Sequence, residues 1–212
     1  MIPIAKPYLE VSDAQNAYDT ILTGWITQGP KVKEFEEKFS EYTGAKYSVA
    51  VSNCTTALHL AMIVAGIKEG DEVICPSMSY IATANCIKYM NAFPIFAEVN
   101  EQYNLDVEDV KKKITSKTKA ILIVHQIGMP ADIDAFRSLC NEKGLILIED
   151  AACAAGSSYK GNKIGLRRVD FWVANTISLE IKAKSEIDSA HLAQAINYIE
   201  AMHTKGKVAI VW

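Results

Sequence analysis

"LILIEDAACAAGSSYKGNKIG", Leu145 to Gly165, runs four apolar residues straight into two acids and then into small residues and glycines. A half-exposed strand alternates apolar and polar side chains. Leu145, Ile146, Leu147 and Ile148 do not, so both faces of this segment are predicted to be covered. Asp150 then stands at the mouth of a buried strand, where a carboxylate usually has a positive partner.

The same punctuation recurs upstream. Short apolar runs at Tyr47–Ser52, Glu72–Cys75, Pro94–Glu98 and Lys119–Val124 read as further buried strands. Between them lie helical patterns. "TALHLAMIVAG" puts Leu58, Ala61, Met62 and Ala65 on one face, and "IATANCIKYMNA" and "ADIDAFRSLCNEKG" each close near a Gly or Asn stop. "PKVKEFEEKFSEYTG" reads as an amphipathic helix from Pro30 to a stop at Gly44. Strand and helix alternating over about a hundred residues predict an α/β fold with a mainly parallel sheet covered on both faces.

After Gly165 the rhythm changes. "RVDFWVANTISLEIKAKSE" reads as two strands around a turn at Ala174–Thr176, "DSAHLAQAINYIEAMH" as a helix capped by Asp188 or Ser189, and "GKVAIVW" as a strand. A boundary is expected between Gly165 and Arg168, giving a main domain over 1–166 and a β-β-α-β tail over 167–212.

Composition narrows the function classes. The chain has 212 residues, half of them hydrophobic, and a net charge of −3. That suffices for one large domain, and the mild acidity signals no dedicated nucleic-acid surface. With no run of 18 apolar residues and no signal-peptide core in "MIPIAKPYLE", a soluble cytoplasmic protein is expected, with no membrane partner. Cys54, Cys75, Cys86, Cys140 and Cys153 form an odd set without a CxxC pair, which fits a reducing compartment and disfavours zinc. Cys75, Cys86 and Cys140 read as small buried apolar residues.

In open parallel sheets, ligands sit beyond the carboxyl ends of the strands. Three stretches fall there. In "VSNCTTALHLAM" a helix opens at Asn53–Thr56, where unpaired N–H groups and small hydroxyls can wrap a phosphate; plain N-capping is the commoner reading of that stretch alone. In "CPSMSYIAT", Tyr80 could cover a flat heterocycle, although a core or surface tyrosine is the simpler reading. In "IEDAACAAG", Asp150 could pair with a protonated ring nitrogen or cap a helix, and alone the two are about even.

Together these stretches resemble the DegT/StrS-type sugar aminotransferases, pyridoxal 5'-phosphate (PLP) enzymes of the aspartate-aminotransferase fold. The resemblance begins at "GWITQGPKVKEFEEKFSEYTGAKYSVAVSNCTTALHLAM". It continues through "GDEVICPSMSYIATANCIKYMNAFPIFAEV" and "ILIVHQIGMPADID" and ends at "LIEDAACAAGSSYKGNKIG". It implies that Thr55 and Thr56 bind the cofactor phosphate, that Tyr80 stacks on the pyridine ring and that Asp150 pairs with its nitrogen. Cys153 takes the position where the family often has His or Gln near the ring oxygen. The complete relatives transfer an amino group from glutamate, or sometimes glutamine, to a keto-sugar nucleotide, as homodimers whose active sites use both subunits.

The resemblance also implies a lysine, about 25 to 30 residues beyond the aspartate, that forms the Schiff base. Here that window is "NTISLE", which has none, and "SLEIKAK" with Lys182 does not look like the family's stretch. The Gly-rich segment and the small domain that follow in the family are also missing. The chain therefore reads as an aminotransferase large domain cut off before its catalytic lysine. The tail is similar to the PD-(D/E)XK nuclease core, especially the small GxxExxY proteins. Asp170 precedes Glu180-x-Lys182 by one strand, and Gln194 and Tyr198 stand four apart on a helix. That resemblance implies carboxylates holding Mg²⁺ and a lysine assisting the attacking water; a solvent-facing charged strand is the plainer reading. A metal-dependent nuclease or nucleic-acid-binding remnant in the tail and a catalytically dead structural domain are the alternatives. The whole reads as a junction of two gene pieces.

Overall fold

The computed structural model describes residues 8–164, 176–180 and 209–211. Its contacts divide the chain into two units, Met1–Phe35 and Glu36–Trp212. In the first unit, α1 (Val11–Leu22) opens where the Asp13 carboxylate accepts the Glu10 N–H at 2.8 Å. None of its residues is buried. The sequence reading assigned no element there. Helix α2 (Pro30–Thr43) starts in this unit and ends in the next.

The second unit is built on one sheet. Its strands are β1 (Ser48–Ala50), β2 (Glu72–Pro76), β3 (Phe93–Ala97), β4 (Thr118–Val124), β5 (Ile146–Asp150), β8 (Thr176–Glu180) and β9 (Ala209–Val211). The order is β1-β9-β8-β5-β4-β2-β3, and every pairing is parallel. A separate hairpin joins β6 (Ser158–Tyr159) to β7 (Asn162–Lys163).

Four helices cover the sheet: α3 (Cys54–Val64), α4 (Ala82–Tyr89), α5 (Val107–Lys113) and α6 (Ile133–Lys143). The period of two along each strand sorts its side chains between two cores. Val73, Cys75, Ala120, Leu122 and Ile148 pack with α3 and α4, whereas Ile74, Ile121, Ile123 and Leu147 pack with α5 and α6. Unbroken hydrophobicity in β2, β4 and β5 is therefore the signature of a sheet buried from both sides, as expected. Helix α3 is buried beyond a single stripe: Ala57, Leu58, Leu60, Ala61 and Met62 are all fully enclosed. Cys75, Cys86 and Cys140 are buried too.

Helix ends follow local chemistry. Gly66, Asn91 and Gly144, each just past a helix, have φ of 69°, 54° and 66°. That left-handed conformation lets the chain turn away while satisfying a last-turn carbonyl. At the β1 edge, the Glu36 carboxylate accepts the Ala50 N–H at 2.8 Å, which occupies a group that would otherwise invite another strand.

Among the described residues of the tail, Thr176 differs from the sequence reading. Thr176 is not in a turn but begins β8, paired with Leu147. A β-branched residue beside a buried strand gains more from the ladder than from a turn. Strand β9 falls inside the expected "GKVAIVW" and pairs in parallel with β8. Asp170, Lys182 and the expected helix at 188–203 lie outside the described residues. No helix among the described residues is long and apolar enough to cross a membrane.

Candidate active site

The carboxyl ends of β1, β2, β4 and β5 each lead into a loop that carries polar side chains. After β1, Asn53 caps α3. Its Oδ1 accepts both the Thr56 N–H and the Thr56 hydroxyl, each at 2.9 Å. Thr56 is buried at 4 % exposure and its donors are committed to that cap. Thr55 is half-buried, and its hydroxyl has no hydrogen-bond partner among the described residues. The first-turn N–H groups of Cys54 and Thr55 have no carbonyl one turn earlier to bind, so they and the Thr55 hydroxyl form a donor set for an anion.

Asp150 ends β5 at 4 % exposure. Its Oδ1 accepts the Ala152 N–H at 2.9 Å, a tight turn and not a helix cap, because residues 151–157 form turns. No lysine or arginine among the described residues pairs with it. Burial pushes its carboxyl above the ordinary aspartate value, and the Ala152 N–H and His125 only partly oppose this. Its charge reaches the thiols of Cys54 and Cys86, which burial already holds far above the ordinary cysteine range. Asp150 thus faces α4 and the first turn of α3. Cys153 is exposed in the following turn.

Tyr80 follows β2 and is 76 % exposed. Its ring has no hydrogen bond or ring contact among the described residues. The structure therefore brings Thr55, Thr56 and Asp150 to one edge, and presents Tyr80 on a neighbouring loop without packing it on them.

Sequence reasoning missed the loop after β4. His125 is fully buried; its Nδ1 accepts the Ala131 N–H at 3.1 Å and its Nε2 lies 3.4 Å from Glu149 Oε2. Arg137 of α6 stands 3.9 Å from the other Glu149 oxygen. Asn104 is buried, accepts the Gln126 N–H at 3.0 Å and donates to the Met129 carbonyl at 3.1 Å. Gln126 Nε2 donates to the Met78 carbonyl at 2.8 Å, and Ser157 Oγ to the Gly128 carbonyl at 2.8 Å. A Cβ on Gly128, whose φ is 83°, would stand 3.2 Å from the Cys153 carbonyl. The loops after β2, β4 and β5 are thus tied into one rim. The one signal in the sequence was His125 itself, a polar ring directly closing an apolar strand.

Residues 7–171 match the DegT/DnrJ/EryC1/StrS aminotransferase family. The chain belongs to that family. Its enzymes are PLP-dependent. GDP-perosamine synthase of Vibrio cholerae is 45 % identical over 167 residues, which are 78 % of this chain and 46 % of that protein. The Escherichia coli O157:H7 protein of the same name is 43 % identical over 77 % of this chain and 46 % of its own length. Among solved structures, DesV of S. venezuelae, in complex with a ketimine intermediate, superposes with a TM-score of 0.72 at 36 % identity, over 79 % of this chain and 44 % of that one. The PMP form of a putative sugar aminotransferase, Spr1654 of Streptococcus pneumoniae, gives 0.74 at 32 % identity, over 77 % and 46 %. The chain spans about half the length of the curated relatives it matches. Residues 133–210 also match the PD-(D/E)XK nuclease superfamily, a stretch that shares β5 with the aminotransferase match and extends through β8 into β9.

Proposed function

We propose that this chain carries the cofactor cradle of a sugar aminotransferase, over residues 1–166, and holds PLP there without a covalent bond. The observation that carries the reading is Asp150: a buried carboxylate with one backbone hydrogen bond, no lysine or arginine partner among the described residues, and a place against the first turn of α3. A protonated ring nitrogen would supply the missing charge. Bound PLP supplies an electron sink for a carbanion at the amino-bearing carbon. Asp150 would keep the proton on the ring nitrogen, and Thr55 with the α3 N–H groups would take the phosphate. Thr56 would reach that phosphate through its cap partnership with Asn53, Tyr80 would cover the ring, and Cys153 would lie beside the ring oxygen. The window "NTISLE" offers no lysine to bond the cofactor.

The substrate class we infer is a keto-sugar nucleotide with glutamate or glutamine as amino donor, in line with the relatives named for GDP-perosamine synthesis. The working form would be a cytoplasmic homodimer. In a second, less favoured reading, Asp170 and Glu180 of the tail, residues 167–212, hold a divalent metal with Lys182 beside them; the 133–210 match supports it. Metal binding lost on Glu180→Ala would favour that reading.

The test is a PLP titration of the full chain followed by absorbance, then borohydride reduction and peptide mapping. Saturable binding with no labelled peptide is expected, and Asp150→Asn should remove most of the affinity. Absence of binding overturns the cradle. A specific label on Lys182 or Lys184 overturns the non-covalent part and restores an active lysine.

A further inference from the structure

Glu149 and Asp150 are consecutive carboxylates on opposite faces of β5. The alternation that sends Leu147 toward α6 and Ile148 toward α3 sends Glu149 toward α6 and Asp150 toward α3. Their treatment is unequal. Glu149 has His125 at one oxygen, 3.4 Å away, and Arg137 at the other, 3.9 Å away. Asp150 has a single backbone N–H.

His125 is the joint between them. Because Nδ1 accepts the Ala131 N–H, the ring proton sits on Nε2 and points at Glu149. The main-chain N–H of His125 donates to the Asp150 carbonyl at 3.0 Å. One residue therefore ties the entrance of α6 and the side chain of Glu149 through its fully enclosed ring, and the Asp150 carbonyl through its main-chain N–H. Rotation of the Asp150–Ala151 peptide has to break the bond from the His125 N–H, and rotation of the strand that would re-aim the Asp150 carboxylate has to carry Glu149 away from the His125 ring.

We propose that His125 is a positioning residue for Asp150, fixing the direction of its carboxylate from the opposite face of β5 through Glu149 and the main chain. The inference rests on the cradle reading above. It assigns His125 no contact with the cofactor.

The test compares two ligands on the full chain: PLP, and the analogue in which the ring nitrogen is replaced by C–H. A residue acting through Asp150 matters only when the nitrogen is present. His125→Asn keeps an acceptor for the Ala131 N–H but cannot span to Glu149. It should weaken PLP about tenfold, the lower end of what the hydrogen-bond partners of metal ligands cost when removed, and leave the analogue within about twofold. In an Asp150→Asn background the same substitution should add nothing. Glu149→Gln, a milder break of the same link should His125→Asn not fold, should show the same one-sided loss. Equal weakening of both ligands, or unchanged PLP affinity in both variants, overturns the positioning role. Wild-type protein that binds the two ligands equally overturns the cradle reading itself, and this inference with it.

Discussion

Asn53→Ala isolates the cap that opens α3. The substitution removes an oxygen that accepts two hydrogen bonds, from the Thr56 N–H and the Thr56 hydroxyl, both at 2.9 Å. Loss of an N-cap costs about 1 kcal/mol. The Thr56 hydroxyl, at 4 % exposure, would then lack its acceptor, which adds about 1 kcal/mol more. The total of about 2 kcal/mol lowers the melting temperature by about 4–8 °C for a chain of this size. Urea unfolding followed by circular dichroism measures it directly. Thr56→Val removes the hydroxyl without the cap, so in the Asn53→Ala background it should cost almost nothing further. The coupling between the two sites should be about 1 kcal/mol. A loss below about 0.5 kcal/mol, or additive losses, would refute the reasoning, since the Thr56 hydroxyl would then not depend on Asn53.

Asp150→Asn should raise the apo melting temperature in a pH-dependent way. Burial lifts the folded carboxyl above its ordinary value of 3.8, so the wild type loses stability as pH rises from that value through the raised one. Paired melts between about pH 4 and pH 8 should show the variant's advantage growing and then levelling off; a constant or shrinking gap would mean that Asp150 is a structural cap. Ile127→Asn should stabilise by about 1 kcal/mol, because a β-branched residue held at φ 53° is strained and its side chain, 81 % exposed, packs on little. Thermal melts check this, and a destabilised variant would show that the isoleucine has contacts worth more than its strain.

The sheet was legible because burial on both faces leaves a local trace. Leu145–Ile148 and Ala120–Val124 carry it residue by residue, and Gly66, Asn91 and Gly144 mark where helices stop. Helix α1 left no such trace: Val11, Tyr18 and Ile21 are all exposed, so no buried stripe disciplines the pattern. Helix α5 is a short run of charges held by one buried side chain, Val110. At the site, Asp150 could be found from its place after an apolar run. The His125, Glu149 and Arg137 network could not, because its geometry depends on a main-chain N–H at Ala131 and on a helix that reaches β5 only after folding. The choice between capping and anion binding at Asn53–Thr56 was also invisible, since both readings need the same residues. The fold gives Thr56 to the cap, and the Thr55 hydroxyl has no partner among the described residues.

Sheet order bears on when the chain can finish folding. Among the described residues, strand β1, residues 48–50, pairs with β9, residues 209–211, and with no other strand. Helix α3 can settle over β2 and β4 as soon as those exist, but the ladder partner that β1 has among the described residues arrives only when the ribosome has released residues 209–211. During synthesis the β1 backbone groups that β9 will take up must therefore wait, served by water, while Glu36 can already hold the Ala50 N–H. Contacts this distant in sequence close slowly and late. Nascent chains paused before that point should consequently be more open to proteases between residues 44 and 53 than the released protein, while β2 through β5 are already protected.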